Sequence, residues 1–528
     1  MPWLDHLIDG MKQLPDSIML EVLGGSGPAR QYSRGQVLHA SGVLAKALLD
    51  LPRTDARPLK IGIVMQNSPE WIVADLALLC SGAVEVPVPL AFSADQAMHL
   101  LDEVELCLVD ERGAARMQQW QTDLSWPAPP MTSVTVDALL RAPRVEPVIQ
   151  ARPADDVVKV IHTSGTTSRP KGVRIRHAGL DALLSGLRTR IPAGTYTRYL
   201  SLVPLSLLIE QVTAAYLTFM EGGTLIFTPA DLPLLGEHGG TTAAMLTLLP
   251  EARPAALTLP PSMVEAMLAA CRMQPEEPTG VRCMRIFGCP TPAFIACGGA
   301  PTAPAVIDAL AGFGIPVYEG YGLSENSSVV AWNAPGICKA GTVGKPLDHV
   351  QVRLATDGEL LVKSSSLFAG YAGSDPSSCE VDADGWLHTG DLAEIDPKGY
   401  LRIFGRKKNL IITANGRNVS PEWVESRYKS LDCVEQAVLF GDGLDQLTAF
   451  LVLAPGYSNS AALADIRAFA DRHLSSVERA DRVVTVSSRR EIYAEFFTVT
   501  GRPRREQIWA LIQHNTTHPS QEETCLAL

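Results

Sequence analysis

The stretch His162-Thr163-Ser164-Gly165-Thr166-Thr167-Ser168-Arg169-Pro170-Lys171-Gly172-Val173 combines hydroxyls, glycines and a lysine at a density that ordinary loops do not need. Glycine lets backbone N–H groups curl around an anion, hydroxyls add donors, and lysine adds a compact positive charge. The composition describes a polyphosphate grip. Apolar Val157 to Ile161 before it reads as a buried strand, and Ala178 to Thr189 after it has helical spacing. That places the loop where α/β folds bind their ligands. A Ser/Thr/Gly surface loop is the competing reading of the composition alone. The loop is not of the Walker type, because Pro170 stands where that pattern needs its second glycine.

Outward from the loop, short apolar runs alternate with amphipathic ones. Trp3 to Lys12 is a short helix candidate, and Tyr32 to Leu49 has helical spacing after a Ser33 cap. Lys60 to Met65, Val84 to Pro89 and Leu106 to Val109 read as strands around a helix from Ser68 to Leu79. Such alternation predicts a parallel sheet covered on both faces. A second α/β stretch runs from Tyr199 to a strand ending at Tyr318, and short strands and turns from Gly341 to Tyr400 suit a small distorted β-barrel. Beyond Gly405-Arg406-Lys407-Lys408 lies about a hundred residues of α+β pattern. The expected division is a large N-terminal domain over 1–404, itself two doubly wound subdomains plus the barrel, a small mobile α+β domain over 405–513, and a disordered tail over 514–528.

The totals narrow the function. A chain of 528 residues exceeds a single hydrophobic core. With 46% hydrophobic residues, 19% charged residues and a net charge of −12, it is an ordinary globular chain poorly suited to nucleic acid or anionic membrane. The apolar run Tyr199 to Phe227 is broken by Glu210, Gln211 and Glu221, so no membrane span is expected. Ten scattered cysteines without C-x2-C pairs, and no secretory leader, read as reduced thiols in a cytoplasmic protein. The terminal Cys525-Leu526-Ala527-Leu528 matches a prenylation pattern but lacks upstream basic residues.

Thr163 to Val173 resembles the phosphate loop of the adenylate-forming superfamily, with Ser168 where glycine is usual. The resemblance extends in order along the chain from about Tyr32 to Arg505 and is nearest to acyl-CoA synthetases of the fatty, long-chain type. It implies that Thr163, Ser164, Gly165, Thr166, Thr167 and Lys171 grip phosphates. Gly298-Gly299-Ala300-Pro301 resembles the turn lying against adenine and the acyl group. Glu319-Gly320-Tyr321-Gly322-Leu323-Ser324-Glu325 resembles the second signature, implying adenine contacts from Glu319, Gly320 and Tyr321, an α-phosphate contact from Ser324, and a magnesium ligand in Glu325. Asp391, in Trp386-Leu387-His388-Thr389-Gly390-Asp391, falls at the ribose-binding position, Arg406 also reaches the ribose, and Lys408 falls at the hinge. Gly416 lies in a segment similar to the loop that enters the site after the swing.

One departure stands out. Thr498-Val499-Thr500-Gly501-Arg502-Pro503-Arg504-Arg505 aligns with T-x-x-G-K-x-x-R, so Arg502 replaces the lysine that implies adenylation chemistry. Leu205, Leu207 and Leu208 lie in a segment similar to P-L-S-H-x-x-E-R, with Leu207 and Gln211 replacing histidine and arginine. No aspartate is present there to pair a substrate ammonium, so an apolar, fatty acid is expected. The resemblance implies ATP, Mg2+ and coenzyme A, or the phosphopantetheine of an acyl carrier protein. A nucleotide- or acyl-adenylate-binding protein with weak adenylation is the alternative that Arg502 raises.

Overall fold

The computed structural model describes residues 2–25, 29–52, 57–163, 171–235, 240–373, 380–414, 418–444, 446–457, 459–488, 492, 495–497, 503–515 and 523–526. A six-stranded sheet takes the spatial order Met131–Ser133, Leu106–Val109, Lys60–Val64, Val84–Pro87, Val157–Thr163, Lys171–Arg176. The first five strands run parallel and the last is antiparallel. The phosphate-loop segment therefore joins two strands of a hairpin. The direct strand-to-helix passage expected from the sequence is corrected here, because Lys171–Arg176 alternates Val173 and Ile175 inward and pairs with Val157–Thr163 before the helix His177–Arg190 begins.

A nine-stranded sheet lies beside it, ordered Lys345–Pro346, Ser328–Trp332, Val317–Leu323, Phe294–Cys297, Ala256–Leu259, Arg198–Ser201, Thr224–Phe227, Ile18–Val22, Arg30–Ser33. Its middle is parallel and both edges are antiparallel. Glu319 to Leu323 thus continues a strand that the sequence ends at Tyr318. Gly322 permits it, since a Cβ there would sit 1.8 Å from the Ser328 carbonyl oxygen. The region expected to form a barrel is a four-stranded antiparallel sheet, Val350–Leu354, Glu359–Ser364, Leu387–Ile395, Leu401–Arg406.

Helix signals were written locally. Ser33 and Gln36 form a reciprocal capping box for Arg34–Leu49, with Gln36 Oε1 accepting from Ser33 N–H at 2.8 Å. Ser68 caps Pro69–Ser81, with proline at its first turn and Gly82 in the left-handed region at its end. Every residue of this second helix is buried, charged Glu70 and Asp75 included. It packs between the sheets rather than on the surface. Among the described residues, no helix is long and apolar enough to cross a membrane.

The C-terminal domain packs the helix Pro421–Tyr428 and the helix Asn459–His473 against a sheet ordered Val434–Phe440, Thr448–Leu453, Arg482–Ser487, Glu523–Leu526. The last strand corrects the expectation of a disordered tail over that portion. Arg482–Ser487 would otherwise leave an open edge, and Thr524 to Leu526 pairs along it in parallel register.

Glu210 illustrates what the packing costs. The apolar stretch that holds it forms a helix with a π segment over Gln211–Leu217, and its carboxylate accepts from Ser201 Oγ at 2.6 Å and Tyr199 Oη at 2.9 Å. Burial pushes this carboxyl up to about 8, against the lowering effect of the two donors. A carboxyl whose folded pKa is raised stabilises the fold fully below its ordinary range near 4.5 and loses that contribution as pH rises through 8. The melting temperature of the wild type is expected to fall between pH 5 and 9. A Glu210→Gln variant, neutral throughout, should show a shallower fall and be the more stable protein at pH 9; parallel melting curves would exclude Glu210 as the source.

Candidate active site

Several segments of distant sequence meet at the carboxyl ends of the parallel strands. Strand register explains the first meeting. Asp391 and Arg406 are directly opposite in neighbouring antiparallel strands, and Arg406 Nε approaches Asp391 Oδ1 at 3.0 Å. Tyr321 Oη donates to Asp391 Oδ2 at 2.5 Å, and Arg406 Nη1 donates to the Thr389 carbonyl at 3.0 Å. Asp391 is 4% exposed, and burial raises its pKa while Arg406 and Tyr321 pull it back. Burial, then the Asp391 charge, drives the Tyr321 phenol far upward. The result is a rigid acceptor with its orientation fixed from two sides.

The second meeting involves Glu325. It lies in the turn Ser324–Asn326, where its Oε1 accepts from Tyr371 Oη at 2.9 Å and its carbonyl accepts from Phe368 N–H at 2.9 Å. Lys171 Nζ stands 4.7 Å over the Tyr371 ring. Lys408 is near the same charges: partial desolvation of its ammonium lowers its pKa first, followed by the positive charges of Arg406 and Lys171. Three cations thus gather around the site, as a phosphate chain requires.

Glu319 is placed differently from its expected neighbours. Its Oε1 accepts from Thr302 N–H at 2.9 Å, and its carbonyl accepts from both the backbone and the side chain of Asn333. Burial pushes the carboxyl up to about 7. Glu319 therefore fastens Gly298-Gly299-Ala300-Pro301 to the strand that carries Gly320 and Tyr321. Gly299, Ala300 and Pro301 themselves are exposed, at the end of Phe294–Cys297.

Leu205 and Leu208 are buried, whereas Leu207 is 40% exposed, so the leucines do not share one lining. Asn67, which sequence reasoning missed, holds this segment. Its Nδ2 donates to Ser201 Oγ at 2.8 Å and to the Val203 carbonyl at 2.7 Å, and its Oδ1 accepts from Leu205 N–H at 2.8 Å. Asn67 follows a strand of the six-stranded sheet, so one amide ties the two sheets together beneath the segment. Tyr371 was also missed. A lone asparagine before a helix cap and a tyrosine after a glycine carry no signal until the chain is folded.

At the expected hinge, Lys407–Asn409 forms a single turn. Lys407 pairs with Asp357 at 2.5 Å and Glu359 at 3.1 Å, while Asn409 Nδ2 donates to Glu422 Oε1 at 2.6 Å. Neighbouring residues thus grip opposite domains, and Lys408 between them is exposed. Gly405 just before has φ 150°, and a Cβ there would meet Glu422 Oε2 at 2.5 Å. Ser164, Gly165, Thr166, Thr167, Gly416 and Arg502, and the side chain of Thr163, lie outside the described residues.

Magnesium can be tested against this donor set. Among the described residues there is no cluster of three His, Cys, Asp or Glu side chains able to hold a metal ion. Glu325 offers one hard carboxylate beside a cationic cleft, which fits an ion that brings phosphate oxygens and water as its other ligands.

The family described as AMP-binding enzyme matches residues 10–372, and the AMP-binding enzyme C-terminal domain matches residues 408–514. The chain belongs to the AMP-binding enzyme family, and it is an ATP-dependent, AMP-forming ligase of the acid–thiol class. It is 29% identical over 429 residues to the long-chain-fatty-acid–CoA ligase FadD15 of Mycobacterium bovis, covering 73% of this chain and 71% of that one. It is 28% identical to a 2-succinylbenzoate–CoA ligase of Bacillus cereus, covering 76% and 79%. In fold it matches the anthranilate CoA ligase AuaEII in complex with anthranoyl-AMP, with a TM-score of 0.80, 18% identity and 96% of each chain covered.

Proposed function

We propose that this enzyme activates an apolar, fatty carboxylic acid with ATP to an acyl-adenylate and pyrophosphate, and then transfers the acyl group to the thiol of coenzyme A with release of AMP. The observation that carries the reading is the Tyr321–Asp391–Arg406 cluster beside the Lys171–Tyr371–Glu325 group. The first is suited to a ribose diol, the second to a phosphate chain.

Asp391 accepts both ribose hydroxyls, Arg406 adds a donor, and Tyr321 presents its ring to the purine against the Gly299-Ala300-Pro301 turn. Ser324 donates to the α-phosphate. Thr163, Ser164, Gly165, Thr166, Thr167 and Lys171 hold the β- and γ-phosphates, so that the carboxylate attacks the α-phosphorus in line. Glu325 would hold magnesium, which when bound offsets phosphate charge. Arg502 takes the place of the usual lysine against the carboxylate and α-phosphate oxygens. The catalysis is alignment together with stabilisation of developing charge. The small domain, over 405–513, then turns at Lys408 about the large domain, over 1–404, to admit the thiol. Leu205 and Leu208, with no carboxylate facing a substrate ammonium in that segment, favour an apolar acid, and the fatty-acid–CoA ligase among the relatives supports it. The enzyme is proposed to work in the cytoplasm, in lipid metabolism.

Pyrophosphate release across fatty, aryl and amino acids, with and without coenzyme A or an acyl carrier protein, tests this reading beside Arg502→Lys. Turnover is expected with fatty acids, completed to thioester by coenzyme A, and Arg502→Lys is expected to retain it within about tenfold. Turnover only with aryl or amino acids would overturn the substrate class, and transfer only to the carrier protein would overturn the acceptor. Activity in Arg502→Lys alone would identify the native chain as a binding protein whose arginine has disabled adenylation.

A further inference from the structure

We infer that Tyr371 is the positioning residue for the metal-binding carboxylate, setting Glu325 to offer a single oxygen to the ion that accompanies the nucleotide; the inference rests on the function proposed above. Its phenol donates to Glu325 Oε1 at 2.9 Å, which commits that oxygen and leaves Oε2 as the ligand atom. The ring is held on several sides. Phe368 packs edge-on at 5.0 Å, Lys171 Nζ stands over it at 4.7 Å, and Tyr371 is 7% exposed.

Backbone pairing fixes the segment as a whole. Tyr371 bridges Val173, Ala372 N–H donates to the Gly172 carbonyl, and Ala369 N–H donates to the Arg174 carbonyl. The same segment reaches forward through Phe368 N–H to the Glu325 carbonyl. One short stretch therefore ties the strand that leaves the phosphate loop to the turn bearing Glu325. That turn is strained from behind: Ser327 and Ser328 have φ of 53° and 111°, and Ser327 Oγ donates to the Ser366 carbonyl at 2.7 Å. The phenol ties the Glu325 side chain to this braced segment. Tyr371 thus touches both a cation, over its ring face, and the carboxylate proposed as metal ligand, through its hydroxyl.

The test is calorimetric titration of ATP into the full chain, with Mg2+ and with EDTA, for the wild type, Tyr371→Phe and Phe368→Leu. Tyr371→Phe keeps the ring and removes only the hydroxyl. It is expected to cut the magnesium-dependent gain in ATP affinity by about fivefold to tenfold, consistent with one charge-assisted hydrogen bond, while metal-free affinity stays within about twofold. Phe368→Leu, which loosens the ring but keeps the hydroxyl, should retain the larger part of the magnesium gain. Equal losses with and without magnesium in Tyr371→Phe would mean a merely structural role and overturn the inference, as would an unchanged magnesium gain. A wild type that binds ATP with no magnesium dependence would overturn it while leaving the nucleotide site intact; a wild type that does not bind ATP would overturn the proposed function as well.

Discussion

Asp391→Ala is expected to lower kcat/KM for ATP by about a hundredfold to a thousandfold, with the loss concentrated in KM. Two hydrogen bonds from ribose hydroxyls to a carboxylate are each worth roughly 1.5–3 kcal/mol when the acceptor is charged. The geometry makes the loss larger than a simple deletion. Asp391 is buried and held at both oxygens by Arg406 and Tyr321, so its removal also leaves a guanidinium and a phenol without their acceptor. An Arg406→Leu variant should lose less, because Tyr321 continues to orient the carboxylate, and the double variant should lose less than the sum. Steady-state kinetics with ATP varied, beside melting curves for each variant, checks this. If Asp391→Ala binds ATP as the wild type does, the ribose assignment fails. The raised pKa of Asp391 gives the sign of the pH dependence: as pH falls, the carboxyl is protonated earlier than an exposed aspartate, and affinity for ATP should weaken on the acid side first.

Lys159→Met is expected to have the larger effect on the fold. Lys159 is fully buried on the strand that leads into the phosphate loop, and its ammonium pairs with Asp75 at 2.5 Å and with Glu85. Asp75 also accepts from Tyr216 Oη at 2.9 Å, and Glu85 from Gln211 Nε2 at 3.2 Å. Burial lowers the lysine pKa, but the two carboxylates outweigh it, so the ammonium stays charged; burial raises that of Glu85 well above its usual range. Removing the cation from such a cluster costs about 3–5 kcal/mol, since two acids remain in the core without compensation. Urea denaturation should show an earlier first transition, or the variant should fail to accumulate in soluble form. Adding Asp75→Asn and Glu85→Gln should recover most of the loss, because the uncompensated charge is then gone. If the triple variant is no better than Lys159→Met, packing of the lysine stem rather than charge balance is what the cluster supplies.

The same cluster shows why the site was only partly legible in advance. The phosphate-loop composition, Tyr321 within its glycines, and Asp391 after Gly390 are local patterns that the family resemblance picks out, although the Tyr321–Asp391–Arg406 contacts exist only in the fold. Asn67, Tyr371 and the Lys159 triad are not, because their roles depend on partners from 46 to 138 residues away. Glu319 stands between the two cases. It belongs to a legible motif, yet its carboxylate turned out to fasten the Thr302 backbone.

Local sequence determined the elements of this protein: the Ser33 and Ser68 caps, the left-handed Gly82, the apolar strands, and the glycine-rich loop after Val157–Thr163. The class of chemistry came from the family resemblance that these motifs carry in order along the chain, since the loop composition alone also fits a Ser/Thr/Gly surface loop. Tertiary structure alone decided the hairpin that carries the phosphate loop, the continuation of the Val317–Leu323 strand through its glycines, the pairing of Glu523–Leu526, and the separation of exposed Leu207 from buried Leu205 and Leu208. The physical reason is the same in each instance. Caps, propensities and loop compositions act within a few residues of themselves, whereas strand pairing, burial and the orientation of a buried carboxylate are set by whichever distant segment the completed fold brings against them.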